Sequence, residues 1–77
     1  MQRDPLPIPQ PGDVVIEREE HSAPTWVLGP CDHPKQIRCS TYDEALERAK
    51  SYSRKESVDV FYTEDAGLTF SLVVRHR

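Results

Sequence analysis

At 77 residues the chain has room for one domain, and a domain of this size buries only about 60% of the surface its unfolded chain exposes. Hydrophobic residues make up 36% of it and charged residues 30%, with a formal net charge of −3. A mildly acidic chain without a concentrated basic face disfavours binding to a phosphate backbone. No apolar run approaches the ~20 residues of a membrane-spanning helix. The polar start Met1-Gln2-Arg3-Asp4-Pro5 has no apolar signal-peptide core. The reading is a cytoplasmic protein without membrane contact, in which Cys31 and Cys39 stay as thiols.

Prolines at 5, 7, 9 and 11 remove amide donors and fix φ. Residues 1–12 are therefore expected to form a proline-rich flexible arm ending at Gly12, and residues 13–77 a single domain. Val14 to Arg18 is β-rich, Glu19 to Pro24 is turn-like, and Thr25-Trp26-Val27-Leu28 is a second strand stopped by Gly29-Pro30. Gln36-Ile37-Arg38-Cys39 alternates weakly and completes a possible three-strand meander. From Asp13 to Asp32 the acids Asp13, Glu17, Glu19, Glu20 and Asp32 stand against the single base Arg18.

A helix is expected over Ser40 to Lys55, with Ser40 at the N-cap and Asp43 three residues later. Tyr42, Ala45, Leu46, Ala49 and Tyr52 recur at helical spacing and make one apolar stripe. Asp43, Glu44 and Glu47 come early and Arg48, Lys50, Arg54 and Lys55 late, which suits the helix dipole. After Ser57 the period becomes two. Val58, Val60 and Tyr62 share one face with Phe61 opposite, Glu64 to Gly67 is a turn, and Leu68, Phe70, Leu72 and Val74 alternate. The fold class is α+β, a small antiparallel sheet with element order βββαββ and one amphipathic helix packed on one face.

The residues point to no cofactor. Cys31, His33 and Cys39 form a weak metal-ligand cluster, but paired spacing such as Cys-x-x-Cys is missing. Ser40 with His21, His33 or His76 gives the nucleophile–base candidates. Ser40 already has a capping task, and loop histidines are more often solvated, so the chain is read as not an enzyme. Trp26 and Tyr62 share faces with aliphatic neighbours and belong in the core. An open second sheet face would gather Phe61, Val15, Val27 and Val73 into an apolar patch suited to a protein partner.

The run Ser40-Thr41-Tyr42-Asp43-Glu44-Ala45, followed by Val58-Asp59-Val60-Phe61 and by Phe70 to Arg75, resembles two groups. One comprises short uncharacterised bacterial proteins grouped as domains of unknown function, matched in element order over about residues 13–77. The other is the small domain of HicB-type antitoxins, which shares the Thr-x-x-Glu-Ala helix start. This chain lacks the glycine-rich segment that usually precedes that helix. The first resemblance implies a fold and a bacterial source but no activity. The second implies toxin or protein binding.

Together these readings give a small cytosolic protein-interaction or structural domain without catalytic activity, bound to a protein partner or a second copy. No small-molecule ligand is evident. The alternative is a nucleic-acid-associated or antitoxin-like regulator using Arg48, Lys50, Arg54 and Lys55.

Overall fold

Val14-Val15-Ile16 opens the first strand, β1 (Val14–Glu20), and its alternation sends side chains to two faces of a sheet. β2 (Pro24–Pro30) returns antiparallel, with Ile16 opposite Leu28 and Arg18 opposite Trp26. β3 (Ile37–Cys39) continues the meander, with Trp26 opposite Cys39. The helix α1 (Tyr42–Glu56) leads to β4 (Val60–Thr63), and β5 (Ser71–Val74) pairs antiparallel with β4. A computed structural model describes residues 8–20, 23–35 and 37–76 in this arrangement. The expectations for residues 1–7 of the arm, for His21 and for Gln36 lie outside those residues.

The fold is α+β, a five-stranded sheet of order β3-β2-β1-β4-β5 with one helix on one face. The sheet is mixed, because β4 lies parallel to β1 with Val14 beside Val60 and Val15 beside Phe61. The reason is geometric. β3 ends at the end of the sheet where β1 also ends, and a 15-residue helix of about 22 Å returns the chain to the end where β1 began. The next strand must then start there and run alongside β1.

The helix begins one residue later than its sequence suggests. Thr41 rather than Ser40 is the N-cap, with φ −133° and ψ 153°, and its hydroxyl accepts from Glu44 N–H at 3.2 Å. Glu44 rather than Asp43 is therefore the third helical residue, so Thr41-x-x-Glu44 has the pattern of a capping box. At the other end Ser57 takes a left-handed conformation, φ 57°. The Ser57 and Val58 N–H groups both reach Ser53 C=O, closing the last turn.

Val14, Ile16, Leu28, Cys39, Ala45, Ala49, Val58 and Val60 form the core between helix and sheet, with Trp26, Tyr42, Leu46, Tyr62, Val73 and Val74 packed against it. The helix row pressed onto the sheet is Ala45, Ala49 and Ser53. These small side chains at i, i+4 and i+8 let the helix lie close, and the Ser53 hydroxyl is satisfied by donating to Lys50 C=O at 3.0 Å. Tyr52, expected in the stripe, is instead exposed. One helical step from Ser53, its ring is too large for that close contact.

Asp13 is buried at the start of β1 and ties separate segments together. Its carboxylate accepts from Gln10 N–H at 2.8 Å and from Asp59 N–H at 3.0 Å, and its carbonyl accepts from Cys31 N–H at 2.8 Å. Asp13 N–H donates to Gln10 C=O, so residues 10–13 form a turn tied to the start of β1. Asp59 extends the node, its carboxylate accepting from His76 N–H at 2.8 Å. Replacing Asp13 by Ala is expected to destabilise the fold by about 2–4 kcal/mol in urea unfolding, because two backbone donors lose charged acceptors. Asp13→Asn should lose less, since its amide keeps one acceptor oxygen.

The β4–β5 hairpin closes through an irregular loop over residues 64–70, so β5 starts at Ser71 and Leu68 leaves the sheet altogether. Asp65 organises this loop. Its carboxylate accepts from the Thr69 hydroxyl, from Thr69 N–H at 2.9 Å and from the Thr63 hydroxyl at 2.8 Å. Ala66 and Gly67 both have positive φ, 59° and 88°, as the turn's glycine suggested. The Thr69 and Thr63 hydrogen bonds lower the Asp65 pKa to about 2. A depressed carboxylate pKa means stability that is present above the unfolded value, about 3.9. It should be lost as pH falls from about 4 through 2. Thermal unfolding across that range should show a smaller acid-dependent loss in Asp65→Asn than in the parent chain.

Candidate functional site

The face of the sheet away from the helix carries Val15, Val27 and Phe61, as alternation requires. They do not make an exposed patch: their exposures are 1%, 5% and 4%. The hairpin folds Phe70 back so that its ring meets Phe61 edge to face at 6.4 Å. Around them Glu17 pairs with Lys35 at 3.8 Å. Val73, the fourth residue expected here, packs toward the helix side instead. A register irregularity between Val60 and Phe61 sets Val60 opposite Val74 but Phe61 opposite Leu72, so Val73 falls in the bulge. Leu72 takes its place beside Phe61.

Apart from Ile8, the exposed large apolar groups among the described residues lie toward the two edges of the sheet. At the β5 edge Leu72 is 36% exposed and Leu68, in the adjoining loop, 83%. Ser71-Leu72-Val73-Val74 contains no proline and no charge. Among the described residues β5 is the outermost strand on this side. At the opposite edge a groove of about 340 Å³ runs between β3, the loop after β2 and the second half of the helix. Val14 and Leu28 lie deepest in burial, Pro30, Pro34, Ile37 and Tyr52 add apolar surface, and His33 and Arg48 bring the polar atoms. Its sequence signals were Tyr52, too large for a close helix–sheet contact, and the rigid Gly29-Pro30 and Pro34 flanks of the loop.

A second hollow, lined by Arg18, Trp26, Tyr42 and Tyr62, holds its own cation. The Arg18 guanidinium lies 5.9 Å from the Trp26 ring centre and pairs with Glu20 at 2.9 Å. Tyr42 and Tyr62 meet edge to face at 5.2 Å, and Tyr62 donates to Glu64 at 3.1 Å. Burial raises the pKa of both tyrosines.

The residues with catalytic or metal-binding chemistry are spread apart. Cys39 is in the helix-side core, whereas Cys31 and His33 lie in the loop after β2. Among the described residues no three metal-ligating side chains converge. Ser40 follows Cys39, level with Trp26, while His33 and His76 lie toward the Val14 end of the sheet. Burial raises the Cys31 thiol pKa, helped by Asp32 and Asp13, and burial followed by the Glu44 charge raises that of Cys39. Both thiols therefore stay protonated at neutral pH and are poor nucleophiles. With a disulfide reagent at neutral pH, Cys31 should react sluggishly and Cys39 only as fast as the chain unfolds, both reacting at once in guanidinium chloride. A native Cys39 as quick as the denatured one would contradict this burial.

The four basic residues of the helix do not form one patch. A helix turns about 100° per residue, which places Arg48 and Lys55 on one flank of the buried row and Lys50 and Arg54 on the other. Glu44 and Glu47 stand between them on the outer side, and Arg48 Nε lies 3.7 Å from Glu44. Mixed charge of this kind gives a weak field for a polyanion.

No helix among the described residues is long and apolar enough to cross a membrane. Comparison of the chain with protein-family models, with curated proteins and with solved structures finds no match.

Proposed function

We propose that the chain is a small, non-catalytic protein-interaction domain that accepts an extended segment of a partner along β5. The observation carrying this reading is the β5 edge itself, four residues without proline or charge, flanked by exposed Leu68 and Leu72. An edge strand presents a row of backbone donors and acceptors, and protein edges are usually blunted by charge, proline or a covering element. Main-chain pairing would supply affinity and Leu72 a side-chain contact. The helix lies mainly over β1 and β2 and leaves this edge uncovered. The interleaved acids of the helix weigh against the alternative of a nucleic-acid regulator. The resemblance to the antitoxin small domain agrees with a binding role, and that to the small bacterial domains with a bacterial source.

The test pairs association with stability. Light scattering over a wide concentration range reads self-association, and immobilised chain reads capture of a partner. Leu68→Lys with Leu72→Lys is expected to weaken either association by more than tenfold. Stability should change by less than about 1 kcal/mol for Leu68→Lys alone, an exposed site, and by more for Leu72→Lys, which also leaves Phe61. A chain that stays strictly monomeric and captures no partner, or one whose association ignores both substitutions, overturns the reading.

A further inference from the structure

We propose that the groove between β3 and the second half of the helix binds a small organic carboxylate. Its apolar part would lie on Leu28, Pro30, Ile37 and Tyr52, with its carboxylate at Arg48. The site is separate from the β5 edge, because β3 and β5 are opposite ends of the sheet.

Three observations converge. The first is size: about 340 Å³ falls at the lower end of the roughly 300–1,000 Å³ of small-molecule sites. The second is composition, since the lining is predominantly aliphatic, aromatic and proline surface with two basic side chains, Arg48 and His33, and no acid. A neutral hydrocarbon would leave those bases unused, and a cation would be repelled. The third is the state of Arg48. Its contact with Glu44 is long, 3.7 Å through Nε alone, between side chains that are 57% and 45% exposed. Exposed pairs of this kind contribute little. One guanidinium donor is engaged by the Cys39 thiol, and the others can meet a carboxylate as a two-pronged pair, the geometry that suits arginine.

Two acids stand near the basic side chains of the groove. Asp32 lies 3.1 Å from His33 Nδ1 and is absent from the lining. Glu44 is the competitor for Arg48 on the helix, and the Cys39 thiol beside it stays protonated. Removing the Glu44 charge should free Arg48 for ligand, and removing Arg48 should leave the apolar surface with His33 as the one remaining basic side chain among the described lining residues.

The experiment is an NMR titration of the full chain with 3-phenylpropionate, and in parallel with the matched alcohol and amine, 3-phenylpropanol and 3-phenylpropylamine. The carboxylate is expected to saturate shifts at Ile37, Arg48 and Tyr52 about tenfold more tightly than the alcohol, with the amine weakest. Arg48→Gln should lower carboxylate affinity about tenfold, to the level of the alcohol. Unchanged alcohol binding by the same variant shows that the groove is intact. Glu44→Gln, which keeps the helix-capping geometry, should tighten the carboxylate. Equal binding of the three probes overturns the proposal, as does indifference to Arg48→Gln or the absence of saturable shifts at the groove. Groove shifts produced by protein concentration alone would place a second copy there and overturn it too.

Discussion

The structure depends on one buried carboxylate. Asp13 joins residues 10, 31 and 59 through its carboxylate and its carbonyl, and the Asp59 carboxylate carries the link on to His76. A buried charge is tolerated only where hydrogen bonds replace its water, and here those bonds come from backbone at the starts and ends of strands. The pairing of β1 with β4 is the sheet's longest-range contact, between segments 46 residues apart at this point. Parallel pairing has no tight turn to set its register. Asp13 sets it directly, since its carboxylate holds Asp59 N–H while Val14 N–H donates to Asp59 C=O at 2.9 Å.

Once that register is set, the position of the helix follows. The small row Ala45, Ala49 and Ser53 lies over the centre of the sheet, and a single helix about 10 Å across cannot cover five strands spaced about 4.8 Å apart. Both edges are therefore left open, but they differ. At β3 the loop after β2 and the Tyr52 ring wall off a groove, whereas among the described residues no strand pairs with the outer side of β5, which carries Leu72. The far face, which alternation alone would leave open, is closed by packing around Phe61, with Phe70 folded onto it.

The perturbed ionisable groups all have structural causes. Burial drives the two thiols and the tyrosines 42 and 62 toward their neutral forms, the reverse of what activates a nucleophile. Asp65 is held ionised by the turn it organises. The proposed readings therefore use shape and apolar surface at the sheet edges, with Arg48 as the charged group at the groove.

The amino-acid sequence determined the order and type of the local elements, though not all of their bounds. The change of period at Ser57 separates helix from strand, the positive-φ turn is announced by Gly67, and the helix is marked by its caps, stripe and charge gradient. The one-residue shift of the cap from Ser40 to Thr41 reflects two adjacent hydroxyl residues, either able to cap; the Glu44 three residues after Thr41 favours the second. Tertiary structure decided what local pattern cannot carry. It chose Ser53 over Tyr52 for the core because helix and sheet approach too closely for a ring. It turned Val73 inward because a bulge breaks the period of two. It made β4 parallel to β1 because the helix spans the sheet once, and it put the groove where a loop, an edge strand and a helix meet. None of those contacts is between neighbours in the chain, and side-chain periodicity reports only which face a residue takes, never what lies across from it.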